Sequence, residues 1–142
     1  MIETTKKYLL ETYARNFVNF KSGKNATVYD ENGKDYIDFS SGVGVVSVGH
    51  ANERVNNAIF EQINKITHIS NLYMIEPQAK LAQKIVELSG YDMAVFFGNS
   101  GAEANEGAIK IARKYGTRFE KKKYKIITLE HSFHGRTIAT VK

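Results

Sequence analysis

No cysteine occurs among the 142 residues, so neither a disulfide framework nor thiol chemistry is available. No stretch approaches the ~18 uncharged apolar residues that a membrane span needs. The opening MIETTKKYLLETYAR lacks the apolar segment and small-residue cleavage site of a secretory signal. A cytoplasmic location with no membrane partner is therefore expected, and the Asn25-Ala26-Thr27 sequon reads as a chance match. Also missing is any interleaved aromatic run of the kind that stacks bases. That absence matters because the net charge is +5. The basic residues make one cluster, Lys121-Lys122-Lys123 with Lys125, between a helical and a strand-like pattern, where a solvated loop is expected. No nucleic-acid partner is expected, and the same balance suits attraction of small anionic ligands.

Hydrophobic residues at 42% and charged residues at 25% are ordinary for a globular chain, and length alone predicts one domain. Thr4 to Ala14 reads as a short helix with Tyr8, Leu9 and Tyr13 near one face. Two β-type runs then flank Asn32-Gly33, a dipeptide suited to a type I′ hairpin. Period-two alternation puts Ile37 and Phe39 on one face and Tyr36 and Asp38 on the other. SSGVGVVSVGH contains Gly42-Val43-Gly44, but Ser47 stands where a dinucleotide fingerprint needs its third glycine. A closely packed loop or bulged strand is the better reading. Asn52 is placed as an N-cap for the Val55, Ala58, Ile59, Ile63, Ile66 pattern. Pro77 suits the first turn of the next helix, and Gly90 suits its end. Met93 to Phe97 and Lys125 to Leu129 read as buried strands around a helix reaching about Tyr115, a βαβ unit with parallel strands.

The turn GNSGAE, Gly98 to Glu103, carries the chemistry. A helix start exposes unpaired N–H groups and about half a positive charge, so an anion held there needs no lysine. Gly98 and Gly101 let a ligand approach the backbone, Ser100 adds a hydroxyl, and Gly107 with Ala108 lets the helix sit close to the sheet. Ser100 and Glu103 also fit a capping box, which needs no ligand. The two readings are compatible, because a capping box uses only part of the donor set.

In a right-handed βαβ unit the loop after Leu129 opens on the same edge. HSFHGRT there offers a flat ring in Phe133, imidazoles in His131 and His134, and a guanidinium in Arg136. Phosphate donors on one loop, with a stacking ring and a carboxylate clamp on the next, suit a planar phosphorylated cofactor and an acidic substrate. A lone Phe is more often core, and Arg136 also fits a surface ion pair. His131 and His134 lack a cysteine or carboxylate pair to complete a shell, so no metal is expected.

NSGAEANEGAIKIARKY followed by HSFHGRT resembles the class III aminotransferases, which use pyridoxal phosphate on fold type I. YIDFSSGVGVVSVGHANERV and THISNLYMIEPQAKLA are also similar to that family. The resemblance implies an α/β fold: an N-terminal segment over 1–50, helix and hairpin, belonging to a small domain; a helix and interface loop over 51–75; and from 76 to 142 the start of the large, mostly parallel-sheet domain that binds pyridoxal 5′-phosphate. It implies that Ser100, Gly101 and Ala102 hold the cofactor phosphate, that Phe133 lies on the pyridine ring, and that Arg136 pairs with a substrate α-carboxylate. Tyr13 would line the substrate pocket. Ser70 and Asn71 would help build the neighbouring subunit's site in a homodimer.

The implied reaction moves an amino group between N-acetylornithine and 2-oxoglutarate. Ornithine, succinylornithine and 4-aminobutyrate are the alternative amine donors. The family's Schiff-base lysine and the acidic partner of its ring nitrogen match nothing here and are expected beyond Lys142. The 142 residues are therefore expected to be an N-terminal fragment, inactive alone. A non-catalytic phosphate-binding module is the rival from another class.

Overall fold

The computed structural model of the chain describes residues 1–121 and 123–141. Lys122 of the basic cluster and Lys142 lie outside the described residues. Where length alone predicted one domain, the chain forms two compact units, Met1–Ser70 and Asn71–Lys142.

The first unit contains α1 (Ile2–Tyr8), β1 (Phe20–Lys24), β2 (Thr27–Asp30), β3 (Asp35–Ile37), α2 (Ser41–Gly44) and α3 (Glu53–Ile63). α1 stops well before Ala14, because Leu9 is extended at φ −107°. Its expected face stays largely open: Tyr8, Leu9 and Tyr13 are all exposed, and burial is what carries most helices past their first turns.

The three strands pair antiparallel in the order β1-β2-β3, with Val28 opposite both Gly23 and Tyr36. Phe20 and Tyr36 meet edge to face at 5.3 Å. The Asn32-Gly33 turn is not type I′: only Gly33 has a positive φ, +80°. Asp30 takes control of the turn instead. Its carboxylate accepts the amides of Asn32 and Lys34 at 2.9 and 3.0 Å, while the Gly33 amide donates to the Asp30 carbonyl at 3.1 Å. An aspartate that binds backbone ahead of it builds its own turn, and the left-handed residue falls at the position of a glycine bulge.

Alternation along β3 is as expected, and the polar side turns inward within this unit. Tyr36 and Asp38 are half-buried, whereas Ile37 and Phe39 are exposed. Asp38 Oδ1 accepts the Ser40 hydroxyl at 2.7 Å and the amides of Ser40 and Ser41 at 3.0 and 2.9 Å. Its Oδ2 lies 2.8 Å from His50 Nε2, and His50 in turn exchanges backbone bonds with Asn25. One carboxylate thus ties both ends of the glycine-rich segment, which is a closely packed loop. Inside it α2 is irregular: Gly42 and Val43 both sit at φ 62°. A β-branched residue rarely adopts that conformation, so the surrounding bonds must over-determine it. α3 begins as expected, with Asn52 accepting the Val55 amide at 3.2 Å.

The second unit contains α4 (Glu76–Ser89) and α5 (Gly101–Gly116). Pro77 lies in the first turn of α4, and Gly90 ends it at φ 69°. The expected βαβ unit is not formed among the described residues. Neither 93–97 nor 125–129 is a strand, and the sheet of the described residues is the three-stranded antiparallel one. A strand exists only through a paired neighbour, and parallel pairing depends on cover over both faces. Ile127 is 96% exposed and Phe96 63%, so that cover is absent here. Gly107 nevertheless packs as its size predicts: a Cβ there would lie 2.9 Å from the Phe96 ring. Among the described residues no hydrophobic side chain is fully buried.

The Ser40 hydroxyl, His50 and the Ser41 amide hold the Asp38 carboxyl well below the usual carboxylate range. A depressed folded pKa means that its stabilisation is complete above the unfolded value of about 3.9 and is lost as pH falls through the folded one. Asp38→Asn is expected to lower the thermal midpoint of the full-length protein by a few degrees near neutrality. The gap from wild type should close in strong acid, as read by calorimetry across pH.

Candidate functional site

The chain enters α5 through Gly98-Asn99-Ser100. Ser100 is extended at φ −152° and caps the helix, its Oγ accepting the Glu103 amide at 3.2 Å. The Glu103 carboxylate reaches back to accept the Asn99 amide. The capping box is therefore present, with its return bond one residue earlier than the standard Ser100 partner. It leaves donors over. Among the described residues the Gly101 and Ala102 amides donate to no acceptor. A Cβ added at Gly101 would meet nothing within 4 Å. Two N–H groups at the positive end of a 16-residue helix are thus left without a protein acceptor, which is what an anion requires.

The HSFHGRT segment folds onto this start. The Asn105 amide nitrogen donates to the His134 carbonyl at 2.6 Å. Gly135 takes φ +133°, and a Cβ there would sit 2.8 Å from the Ala102 Cβ and 2.5 Å from Thr140 Oγ1. The Thr137 amide donates to Thr140 Oγ1 at 3.0 Å, and Thr140 is 6% exposed. The Ala139 amide donates to Glu106 at 3.3 Å. The two loops are neighbours, as expected, but side chains of α5 hold them together rather than a parallel ladder.

Phe133 is 76% exposed, and the Arg136 guanidinium lies over its ring at 5.6 Å. Ring, guanidinium and the paired amides thus belong to two segments joined at Ala102 and Gly135. His131 is exposed at φ 58°, 3.9 Å from Glu130, while His134 contributes its carbonyl to the junction.

Tyr13 belongs to the first unit, where it lines a cleft of about 480 Å³ with Lys6, Leu9 and Phe17. The Arg15 guanidinium lies 6.0 Å from its ring. Ser70 is left-handed at φ 72°, and the Asn71 side chain accepts from Gln78 at 3.5 Å. Asn105, Glu106, Gly135 and Thr140 were not picked out by the motifs of the sequence. A signal did exist: asparagine inside a helix is a poor helix former, so its presence at 105 asks for a bond outside the helix.

The family described as Aminotransferase class-III matches residues 10–142. An acetylornithine aminotransferase of Wolinella succinogenes is 66% identical over 139 residues, 96% of this chain and 35% of that protein. Another acetylornithine aminotransferase, from Methanocaldococcus jannaschii, is 50% identical over 99% of this chain and 35% of its own length. A solved ornithine aminotransferase of Toxoplasma gondii, described with partial occupancy of PLP at its active site, superposes with a TM-score of 0.89. It is 33% identical, covering 98% of this chain and 33% of that one. The fold is thus that of the type I aminotransferases. The chain spans about a third of the length of the curated relatives it matches.

Gly135→Ala should destabilise the full-length protein by about 2–4 kcal/mol, through overpacking and backbone strain together. Gly101→Ala, whose methyl enters open space, should leave stability unchanged or slightly raised. Denaturant unfolding of both variants makes the comparison.

Proposed function

The chain belongs to the class III aminotransferases, and from this we propose that the whole protein moves an amino group between N-acetylornithine and 2-oxoglutarate, using pyridoxal phosphate, in the cytoplasmic synthesis of arginine. The two curated relatives above are both acetylornithine aminotransferases, which favours that amine donor. Ornithine is the second reading, since the solved neighbour is an ornithine aminotransferase.

The observation that carries the proposal is the pair of unengaged amides at Gly101 and Ala102, with open space at the Gly101 Cβ position and a ring and a guanidinium on the adjoining segment. Bound there, pyridoxal phosphate would supply an electron sink that acidifies the C–H bond on the carbon bearing the amino group to be transferred. Gly101, Ala102 and the Ser100 hydroxyl hold its phosphate dianion, using donors already fixed by the helix. Phe133 limits the tilt of the ring. Arg136 pairs its planar fork with the substrate carboxylate, which a lysine matches poorly. Tyr13 lines the substrate pocket, and Ser70 with Asn71 serves a partner subunit in a homodimer. No lysine among the 142 residues matches the family's cofactor-bonding position, so residues 1–142 alone are inactive in this reading.

In the full-length enzyme, Gly101→Ala should bind pyridoxal phosphate roughly tenfold more weakly, since its methyl displaces a charge-assisted contact. Arg136→Ala should weaken apparent 2-oxoglutarate binding, read as the Michaelis constant, by about 10- to 100-fold, on the strength of hydrogen bonds to a charged group. Unchanged values in both variants would overturn the assignment of the site. Turnover of N-acetylornithine against ornithine decides between the amine donors.

A further inference from the structure

Asn105 lies one helical turn beyond Gly101, and Glu106 one turn beyond Ala102. Residues four apart share a helix face, so two adjacent rows run back from the open amides. The contacts that dock the 134–140 segment on α5 fall on these rows. Asn105 holds the His134 carbonyl at 2.6 Å, Ala102 abuts Gly135, and Glu106 takes the Ala139 amide at 3.3 Å. Asn105 and His134 are both half-buried, and the bond joins residues 29 apart in sequence.

We infer that Asn105 is a positioning residue: by gripping the His134 carbonyl it sets where Phe133 and Arg136 stand relative to the Gly101 and Ala102 amides, with Glu106 as the second attachment. The inference rests on the functional reading above. It separates two parts of the site. The phosphate donors belong to α5 itself and need no staple. The ring contact and the guanidinium belong to the docked segment and depend on it. An aspartate at 105 would be worse than an alanine, because a carboxylate cannot donate to a carbonyl and repels it.

The test uses cofactor-free, full-length protein as wild type, Asn105→Ala and Asn105→Asp. Pyridoxal phosphate and inorganic phosphate are each titrated by calorimetry, and a thermal midpoint is taken for every sample. Asn105→Ala should weaken pyridoxal phosphate roughly tenfold, the factor that one ordinary hydrogen bond controls. Asn105→Asp should weaken it further. Inorganic phosphate should stay within about twofold in Asn105→Ala, the variant that adds no charge beside the anion site and the one in which the two ligands are compared. In the reconstituted enzyme the Michaelis constant for the oxo-acid substrate should rise more than kcat falls.

An unchanged pyridoxal phosphate affinity overturns the inference. An equal loss for both ligands does so too, since it marks a merely structural role. Wild type that binds inorganic phosphate but not pyridoxal phosphate overturns the functional reading, and this inference with it.

Discussion

A helix cannot satisfy its own first amides, and at the start of α5 the protein satisfies only some of them. Ser100 takes the Glu103 amide and Glu103 takes that of Asn99, while Gly101 and Ala102 keep theirs. That incomplete cap is the constraint on which the candidate site depends. A fully engaged start would offer an anion nothing, and an uncapped one would fray. The compromise places two rigid donors in the field of a long helix at no conformational cost when a ligand arrives.

The rest of the site is arranged around that start by contacts that carry little apolar burial. Gly135 is positioned by the absence of its own side chain, and Thr140 is shielded while bonded to Thr137. Asn105 and Glu106 each bind backbone rather than another side chain. Such bonds fix a segment's path while leaving its outward side chains, Phe133 and Arg136, exposed. The first unit uses the same device. Asp38 gathers Ser40, Ser41 and His50 and so holds a loop whose left-handed Val43 would not persist alone. In both places polar side chains organise backbone groups, one carboxylate in the first unit and Asn105 with Glu106 in the second, and the apolar residues lie on faces open to solvent.

Much of the local structure was legible in the residues. Asn52, Pro77, Gly90 and the Ser100–Glu103 pair mark helix ends as read, because capping involves groups within four positions of one another. The Gly107 contact was legible too, since a missing side chain admits a neighbour whatever its identity. Asn32-Gly33 misled because Asp30, two residues earlier, competes for the same amides. α1 misled because its pattern implied a buried face, and Tyr8, Leu9 and Tyr13 stay exposed.

Sequence by itself determined the starts of α3 and α5, the end of α4, the glycine-rich turn at 98–103, and a clear family signature. Those features depend on short-range hydrogen bonds and on backbone freedom, both encoded residue by residue. Only the tertiary structure decided that 93–97 and 125–129 stay unpaired, that Asp38 and His50 close one loop, and that Asn105 draws His134 to the helix start. The last two join groups 12 and 29 positions apart. Whether such groups meet depends on the path of everything between them, which no local pattern contains.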